Sequence, residues 1–351
     1  MARILYGVCG EGMGHAIRSA IIIKELLKKH SVVVVSSSRA FDYLKSHFKS
    51  VHDVHGFHLV YQNNKVRHIA TVIQNLQRLP KGARYSIKKM FSVIKIFKPN
   101  IVITDFEPFT SLASKIFQIP SISIDNQHII TNCRIDIPKK YIRDFITAAI
   151  IVRLIVNTAN CYLITTFFYP KIKNKRSFLF PPILRSSIIK AKPKEEGQIL
   201  VYQTSKTYER LIPTLKGINE KFIVYYMDRY GKEKNITYRR FNETTFIKDL
   251  ASCKAIITNG GFGLVGEAVH LGKPVLSVPV HKQFEQIANA TYIEKLGYGE
   301  FHKHLTKEIL KKFILNIPKY KESLRSYKRE DNSRIIRKLE ELIEKLVRSS
   351  N

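Results

Sequence analysis

Acidic residues are scarce in this sequence. The 351-residue chain carries 59 Lys and Arg against 28 Asp and Glu, which gives a formal net charge of +31. A charge of this size is unusual for a soluble enzyme, and it favours an anionic partner: nucleic acid, an acidic membrane surface or a phosphorylated substrate. The alternative is a solvated, lysine-rich surface with no partner, but that alternative does not explain why acidic residues are so few.

Paired cysteines, long hydrophobic runs and a leader pattern are also missing. The four cysteines form no CxxC pair, so we expect reduced, mostly buried thiols and a cytoplasmic protein. The longest apolar run, residues 145–152, stops at Arg153 and is too short to cross a bilayer. The first residues enter a strand pattern at once, which predicts that there is no signal peptide. Hydrophobic residues make up 44% of the chain, which predicts a packed globular protein.

The length of the chain predicts two domains of α/β size. In the first half, β-branched runs such as VVVV and IVITD alternate with helical patterns, which indicates a doubly wound parallel sheet buried on both faces. Residues 168–197 carry eight Lys or Arg before the first acid and two adjacent prolines, which predicts an irregular linker. The strand–helix pattern then restarts. We therefore predict domains at 1–180 and 197–320, a linker at 181–196, and C-terminal amphipathic helices at 321–351.

A glycine-rich loop, GEGMGH, lies between the first strand and the first helix. Such a turn exposes backbone N–H groups at a helix N-terminus, where anions bind well. The dinucleotide fingerprint needs G-x-G-x-x-G and an acid at the end of the second strand; this loop reads G-x-G-x-G, and the second strand ends in SSSRA. The sequence therefore argues against an NAD dehydrogenase. His15 stands where the turn meets the helix, at the mouth of any cleft, and its alternative role is to cap that helix.

A second glycine loop, TNGGFGLVGEA, lies in the C-terminal half. Gly260, Gly261 and Gly263 would allow the backbone to approach a diphosphate closely, and Asn259 and the helix N-terminus would add donors. A carboxylate at Glu267 would suit the two hydroxyls of a ribose. The alternatives are tight helix–strand packing for the glycines, and for Glu267 an acid favoured by the helix dipole.

Together with the downstream GKPVLSVPVHKQFEQIANA, this loop resembles the donor-binding signature of the GT-B glycosyltransferases over about 30 residues. That group includes the plant and macrolide UDP-sugar transferases, the GlcNAc transferase that forms lipid II, and the galactolipid synthases. The resemblance implies an α/β GT-B fold: two doubly wound Rossmann-like domains facing across a cleft, with the C-terminal helix returning to the N-terminal domain. It also implies donor-binding roles for several side chains and loops: Asn259, Gly261, Phe262 and Gly263 at the diphosphate, Glu267 at the ribose, Glu285 and Gln286 at the sugar hydroxyls, Phe241 and Phe246 at the base, and Ser205 in a phosphate loop that lacks its usual glycines.

The resemblance further implies an inverting hexosyl or N-acetylhexosaminyl transfer from a nucleotide diphosphate sugar, with UDP as the expected nucleotide, to a hydroxyl acceptor. No cofactor or metal ion is expected, because backbone N–H groups and a helix dipole can stabilise the leaving diphosphate. Either His15 or Asp105, at the end of the strand IVITD, is the expected base; Asp105 is alternatively a strand-end turn residue. The acceptor side is expected to include Gly12, Gly14, Asp125 and His128.

Two other functions fit parts of the sequence. A UDP-sugar 2-epimerase would share the fold, but GGFGLVGE resembles the transferases better. A basic nucleic-acid-binding protein would use the charge, but no known binding module is recognisable, so no specific nucleic acid is expected. The histidines of VHDVHGFH (His52, His55 and His58) suggest zinc, yet they lack a second cluster, and in a strand they could not all converge; no metal site is expected.

Basic residues concentrate in two segments outside the donor motif. Residues 81–98 hold six Lys or Arg and no acid, and residues 139–157 combine basic residues with a strongly apolar stretch. Both suit helices that lie on an anionic leaflet, although core-facing amphipathic helices would show the same pattern. We therefore expect an acceptor that is lipid-linked or a cell-envelope glycan, and a protein peripheral on the inner face of the plasma membrane.

Overall fold

The computed structural model describes residues 1–10, 12–54, 61–62, 65–66, 84–156, 159–203, 210–225 and 229–349, with residues 61–62 and 65–66 described by their backbone alone. Contacts divide the described residues into two compact units. The first takes in the chain up to Ile183, apart from the strand pair at 61–66, together with the chain from Asp331 onwards. The second takes in Leu184–Glu330 and that strand pair.

The strands up to residue 180 are, in chain order, β1 (Arg3–Val8), β2 (Ser31–Ser36), β3 (Val51–Asp53), β4 (Tyr61–Gln62), β5 (Lys65–Val66), β6 (Ile101–Asp105), β7 (Ser121–Asp125), β8 (Cys133–Arg134), β9 (Cys161–Thr165), β10 (Lys171–Ile172) and β11 (Ser177–Phe180). Seven of them form a parallel sheet in the order β11-β9-β7-β6-β1-β2-β3. The pairs β4–β5 and β8–β10 are antiparallel. The continuous β-branched runs lie in buried strands, as the sequence predicts for a sheet covered on both faces.

The helices that cover this sheet are α1 (Met13–Leu26), α2 (Ser38–His47), α3, whose described part is 84–97, α4 (Pro108–Ile116), α5 (Ile129–Asn132) and α6 (Ile142–Ile155), which follows a 3₁₀ turn at Lys139–Tyr141. One face packs against α1 and α2, and the opposite face packs against α3 and α4. Right-handed crossovers require this alternation, because the chain winds outward from β1 to β3 and then returns to β6. The same rule places α6, between β7 and β9, on the α4 face.

The second unit contains a seven-stranded sheet of β12 (Ile199–Tyr202), β13 (Phe222–Tyr225), β14 (Gly231–Glu233), β15 (Ile236–Arg239), β16 (Ala255–Thr258), β17 (Val275–Ser277) and β18 (Gly299–Phe301). Its order is β14-β15-β13-β12-β16-β17-β18, and only the edge pair β14–β15 is antiparallel. Its helices are α7 (Ser186–Ile189), α8 (Leu211–Lys216), α9 (Glu243–Ser252), α10 (Phe262–His270), α11 (Phe284–Lys295) and α12 (Lys307–Arg325).

The last helix, α13 (Ser333–Arg348), packs on the first unit. Its apolar face, which includes Ile335, Leu339, Leu342 and Ile343, is part of the core formed with β1, α1 and α2. This confirms that the C-terminal helix returns to the N-terminal domain. No helix of the described residues is both long and apolar enough to cross a membrane.

The segment at 168–197 is more regular than its composition suggests. Its prolines and basic residues predicted an irregular stretch leading into a linker at 181–196; residues Ser177–Phe180, at the end of the predicted first domain, form β11, the edge strand of the first sheet, and α7 follows. An edge strand pairs on one side only and tolerates exposed basic neighbours; here basic residues precede the short apolar run and two prolines follow it, which obscures the strand in the sequence.

Candidate active site at the carboxyl edges of the two sheets

Both sheets contain a point where the strand order reverses, and in open α/β sheets ligands bind at the carboxyl ends of the strands at this point. In the first sheet the reversal lies between β1 and β6, whose ends are aligned as Val8 opposite Asp105. In the second it lies between β12 and β16, where Tyr202 is opposite Thr258. The two glycine loops follow β1 and β16. Each sheet therefore carries one of the predicted loops at its switch point.

At the first switch point, His15 on α1 contacts Asp105 at the end of β6. His15 Nδ1 lies 2.7 Å from Asp105 Oδ1. Arg18, one turn further along α1, donates from Nε to Asp105 Oδ2 at 2.7 Å and from Nη2 to Oδ1 at 2.5 Å, and Ser19 Oγ donates to Oδ2 at 2.8 Å. Asp105 is fully buried, so its carboxylate is held entirely by protein donors.

These contacts decide which nitrogen of His15 carries the proton. Asp105 Oδ1 is an acceptor, so in the neutral ring Nδ1 is the protonated nitrogen and Nε2 carries the lone pair. Arg18 Nη2 lies 2.8 Å from His15 Nδ1 because both donate to the same oxygen. Burial tends to raise the pKa of Asp105, but the charge of Arg18 and the hydrogen bonds from Arg18 and His15 act in the opposite direction, and the pKa lies below its ordinary value. Asp105 is therefore ionised at neutral pH.

The loop after β7 contains two predicted acceptor-side residues that bind each other. His128 Nδ1 lies 2.6 Å from Asp125 Oδ2, and the backbone N–H of His128 donates to Oδ1 at 2.9 Å. The second ring nitrogen of His128 donates to the carbonyl of Val156 at 2.9 Å. Both side chains are buried. Burial raises the pKa of Asp125, but His128 outweighs it and lowers the pKa to about 2; burial lowers the pKa of His128, but Asp125 outweighs it and raises the pKa.

Between that pair lie Asn126 and Gln127, of which Gln127 reaches His15 and Asn126 reaches Arg18. Gln127 Nε2 lies 3.3 Å from His15 Nε2, and Asn126 Oδ1 accepts from Arg18 Nη1 at 2.5 Å. Sequence reasoning did not select Asn126, Gln127 or Arg18. For Asn126 and Gln127 the available signal was their position between Asp125 and His128, since a strand-end loop presents consecutive side chains to the same edge; for Arg18 it was its position one turn after His15 on the same helix face.

The first glycine loop leaves open space beside α1. Gly12 is the N-cap of α1 and has φ +88°, a left-handed conformation that favours glycine. A Cβ at Gly14 would have no neighbour within 4 Å. No side chain caps the N-terminus of α1 among the described residues, so His15 does not act as that cap. Glu11 lies outside the described residues.

At the second switch point, Asn259 follows β16 and Gln203 follows β12. Asn259 Nδ2 donates to Gln203 Oε1 at 2.5 Å and to the carbonyl of Val278 at 3.2 Å. Gln203 Nε2 and Ser277 Oγ are buried and have no hydrogen-bond partner among the described residues. Buried polar atoms normally have partners, so this cluster has spare hydrogen-bonding capacity within the described part of the chain.

The second glycine loop approaches this cluster and then starts α10. Gly260 has φ +86°, and a Cβ there would lie 2.6 Å from Ser277 Oγ, so only glycine fits. Gly261, the N-cap, has φ −61° and open space around a built Cβ. No side chain caps α10, and Phe262 and Gly263 form its first turn. Its first N–H groups are thus available to an anion.

Glu267 on α10 is held by Arg185, which precedes α7. Arg185 donates from Nε to Oε1 at 2.8 Å and from Nη2 to Oε2 at 2.7 Å, and its Nη1 lies 3.2 Å from Glu243 Oε1. Burial raises the pKa of Glu267, while Arg185 acts in the opposite direction. Sequence reasoning missed Arg185 because it lies in the segment taken as a linker.

The remaining donor candidates surround the same loop. Gln286 is buried, and its Oε1 accepts from the N–H of Val280 at 2.9 Å; Glu285 is half-buried in the first turn of α11. Asn289 Nδ2 donates to the carbonyl of Gly260 at 3.0 Å, which ties α11 to the glycine loop.

An aromatic cluster lies where the sequence analysis placed the base. Phe241 is 52% exposed and packs against buried Phe246, with ring centroids 5.4 Å apart, and Tyr202 contacts both rings. Ser205, His55 and His58 lie outside the described residues. His52 lies in β3.

Comparisons with known proteins identify the family of the chain. The profile of the family described as "Glycosyl transferase family 1" matches residues 2–318. An uncharacterized glycosyltransferase of Methanosarcina acetivorans is 24% identical over 336 residues, covering 87% of this chain and 84% of its own; one from Methanosarcina mazei is 25% identical over 351 residues, covering 87% and 86%.

Solved structures share the fold. The glycosyltransferase of kitacinnamycin superposes with a TM-score of 0.70 at 17% identity, covering 98% of this chain and 99% of that chain. MurG of Acinetobacter baumannii superposes with a TM-score of 0.64 at 17% identity, covering 98% and 100%. The chain therefore belongs to glycosyl transferase family 1 and is a glycosyltransferase of the GT-B fold.

Proposed function

We propose that this protein is an inverting, metal-independent glycosyltransferase that moves a sugar from a UDP-sugar to a hydroxyl group of a lipid-linked acceptor. The observation that carries the proposal is the contact between half-buried His15 and buried Asp105 at the switch point of the first sheet. A histidine whose Nδ1–H is fixed by a carboxylate presents Nε2 as a general base.

His15, rather than Asp105, is the base in this proposal. Both oxygens of Asp105 already accept hydrogen bonds from His15, Arg18 and Ser19, and a lowered pKa makes this carboxylate a weak base. The acceptor O–H would give its proton to His15 Nε2 while its oxygen attacks the anomeric carbon from the face opposite the diphosphate. The bond from that carbon to the diphosphate oxygen breaks, and its electron pair leaves with the nucleotide.

We propose that the sugar donor binds at the start of α10. The N-terminus of α10 without a side-chain cap, the open space at Gly261 and the spare donors of Gln203 and Ser277 all suit a diphosphate. These groups would stabilise the leaving charge without a metal ion. Glu267, held by Arg185, would accept from the ribose hydroxyls. Exposed Phe241 would pack against the base.

The proposal of a lipid-linked acceptor is based on the exposed face of α6. Its outer face presents Ile142, Ile146, Ile150 and Leu154 at four-residue spacing, each between 51% and 77% exposed. Exposed Lys139, Lys140, Arg143 and Arg153 flank this aliphatic stripe. Soluble monomers rarely expose such a stripe, and an aliphatic face bordered by cations matches an anionic bilayer surface.

Two other helices of the first unit also expose apolar side chains. On α3, Tyr85, Phe91 and Ile96 are exposed, and on α4 Leu112 and Ile116 are exposed. The Phe91 ring lies 4.9 Å from Phe117, just after α4, so the two helices are adjacent. We propose that α3, α4 and α6 together hold the protein peripherally on an anionic membrane.

The test is sugar transfer from a panel of labelled UDP-sugars to a membrane lipid extract, in the presence of EDTA. We expect UDP release coupled to label in the lipid phase, and a product of inverted anomeric configuration. His15→Gln should lower the rate by roughly 10²–10⁴-fold, and His47→Gln, an exposed histidine on α2, should leave it unchanged. Full turnover by His15→Gln, a retained anomer or dependence on a divalent metal would contradict the proposal.

A further inference from the structure

The ring nitrogen that we propose as the base already has one contact. Gln127 Nε2 lies 3.3 Å from His15 Nε2. The carboxamide nitrogen can only donate, and in the neutral ring whose Nδ1–H is bound by Asp105 the unprotonated nitrogen is His15 Nε2. The contact is therefore a hydrogen bond from Gln127 to the lone pair that is expected to take the acceptor proton.

Arg18 fixes the orientation of the Gln127 carboxamide. Gln127 Oε1 lies 3.5 Å from Arg18 Nη2 and accepts from the backbone N–H of Asn126 at 3.3 Å. A flipped carboxamide would place its NH₂ group against these two donors. The oxygen thus faces Arg18, and the NH₂ group faces His15.

The guanidinium is suited to this task because it has several donors in one plane. Its Nε and Nη2 hold both oxygens of Asp105, while Nη1 donates to Asn126 Oδ1. A lysine offers no such planar fork. Arg18 is only 6% exposed, so one buried side chain links the orienting carboxylate to the loop after β7.

We infer that Gln127 is an acceptor-positioning residue and that Arg18 positions it, an inference that rests on the proposed function. The acceptor hydroxyl takes a place within hydrogen-bond distance of both side chains, donating to His15 Nε2 and accepting from the Gln127 NH₂ group. An alcohol oxygen has two lone pairs, one to attack the anomeric carbon and one to accept from Gln127. A neutral amine has only one lone pair, so the site selects oxygen nucleophiles over nitrogen nucleophiles.

The first test reads the His15 ring nitrogens by ¹⁵N NMR and needs no substrate. We expect the wild-type protein to show the Nδ1–H tautomer with a hydrogen-bonded Nε2. Gln127→Ala should keep the tautomer but shift the Nε2 resonance toward that of a nitrogen without a donor. Arg18→Lys should produce the same Nε2 shift, and Lys24→Met, which removes an exposed charge from the same helix, should change neither resonance. An Nε2–H tautomer in the wild type, or an unchanged Nε2 resonance in Gln127→Ala, would overturn the inference.

The second test measures transfer with the donor and lipid that the wild type turns over. Gln127→Ala and the isosteric Gln127→Glu should both lower kcat by about tenfold and leave the donor KM unchanged. The wild type should transfer sugar to an alcohol much faster than to an amine, and both variants should reduce this preference. Wild-type kcat and nucleophile preference in both variants, with His15→Gln inactive, would overturn the inference while the proposed function stands. Wild-type activity in His15→Gln would instead overturn the proposed function.

Discussion

At the scale of single residues, each candidate site depends on an arginine that holds a buried carboxylate. Arg18 holds Asp105, and Arg185 holds Glu267, both through two hydrogen bonds. A buried carboxylate without a partner is costly, whereas a paired one keeps its charge and direction. These pairs therefore fix the carboxylates in the orientation in which they meet His15 and, in our proposal, the ribose.

Removing one partner of the second pair should destabilise the protein strongly. Arg185→Met leaves Glu267 buried without a cation, and we expect a loss of about 3–5 kcal/mol in the free energy of unfolding. The double variant Arg185→Met/Glu267→Leu should recover part of that loss, because no charge remains buried. Urea denaturation measures both, and Lys248→Met on the exposed face of α9 is the matched control, expected within about 0.5 kcal/mol of wild type. Additive losses in the double variant would contradict the pairing.

The Asp125–His128 pair should make stability depend on pH. The folded pKa of His128 is raised above 6.5, so its contribution is complete below about pH 6.5 and is lost as pH rises through the folded pKa. The folded pKa of Asp125 is about 2 against 3.8, so its contribution is complete above about pH 3.8 and is lost as pH falls. His128→Gln should therefore lower the free energy of unfolding most between about pH 4 and 6.5, by roughly 1–3 kcal/mol.

Urea denaturation of wild type and His128→Gln from pH 4 to 9 measures this difference directly. The contributions of titrating groups other than Asp125 and His128 cancel in the comparison. A difference that stays constant across this range would show that the pair carries no pH-dependent stability.

Sequence patterns located the polar residues at the strand ends but not the residues that hydrogen-bond to the carboxylates of the candidate sites. Asp105, Asp125 and Asn259 follow β-branched runs, so their position at a sheet edge could be predicted. The partners could not, because Arg18 lies 87 residues from Asp105 and Arg185 lies 82 residues from Glu267, and neither pairing follows a local pattern. For the same reason, the sequence suggested Asp125 and His128 as acceptor-side residues, whereas their side chains bind each other. Their acceptor-side role stays a prediction.

At the scale of elements, two parallel sheets with switch points bring the loops to one edge of each unit. The strand–helix alternation was enough to predict this, because it follows from periodicity and the right-handed crossover. The edge strand β11 was missed because it has a single neighbour and no long apolar run. The basic apolar segments were recognised, but only the structure distinguishes the faces of α6, with Ala149 and Val152 buried and the Ile142–Leu154 stripe exposed.

The stripe on α6 should govern membrane binding. Ile146→Asp and Ile150→Asp replace exposed aliphatic side chains by acids, so they should weaken binding to vesicles of phosphatidylglycerol and phosphatidylcholine without changing the thermal midpoint by more than a few degrees. Leu315→Asp, at an 80% exposed position on α12, is the matched control and should bind like wild type. Co-sedimentation at low and high salt measures both. Equal binding by all four proteins would contradict the assignment of this face.

At the scale of the whole molecule, the C-terminal helix α13 packs into the first unit. The core that α13 shares with β1, α1 and α2 means that the last residues of the sequence stabilise its first strands. A charged amphipathic helix was predictable at this position from its pattern. The sheet that receives it was not, because the pattern specifies an apolar face without specifying its partner; that assignment came from the resemblance to the GT-B enzymes.

Loss of packing on α13 should therefore affect the first unit. Leu339 is fully buried, and Leu339→Ala should lower the free energy of unfolding by about 2–5 kcal/mol, whereas Leu315→Ala should have little effect. Hydrogen exchange should show the lost protection in β1, β2 and α1, with β12 and β16 retaining theirs. Equal loss of protection in both units would contradict the assignment of α13.

The central claim, that the loop before α10 binds a nucleotide diphosphate, is tested most directly by calorimetric titration with UDP, GDP, dTDP and CMP. Gly261 has an ordinary φ and open space for a side chain, and Asn and Asp are equally good N-caps, so Gly261→Asn and Gly261→Asp should both fold. Only Asp adds a negative charge at the proposed diphosphate site. We predict that wild type binds UDP without metal and that Gly261→Asp binds it at least tenfold more weakly than Gly261→Asn. Equal affinities of the two variants, or no binding of any nucleotide by wild type, would contradict the account.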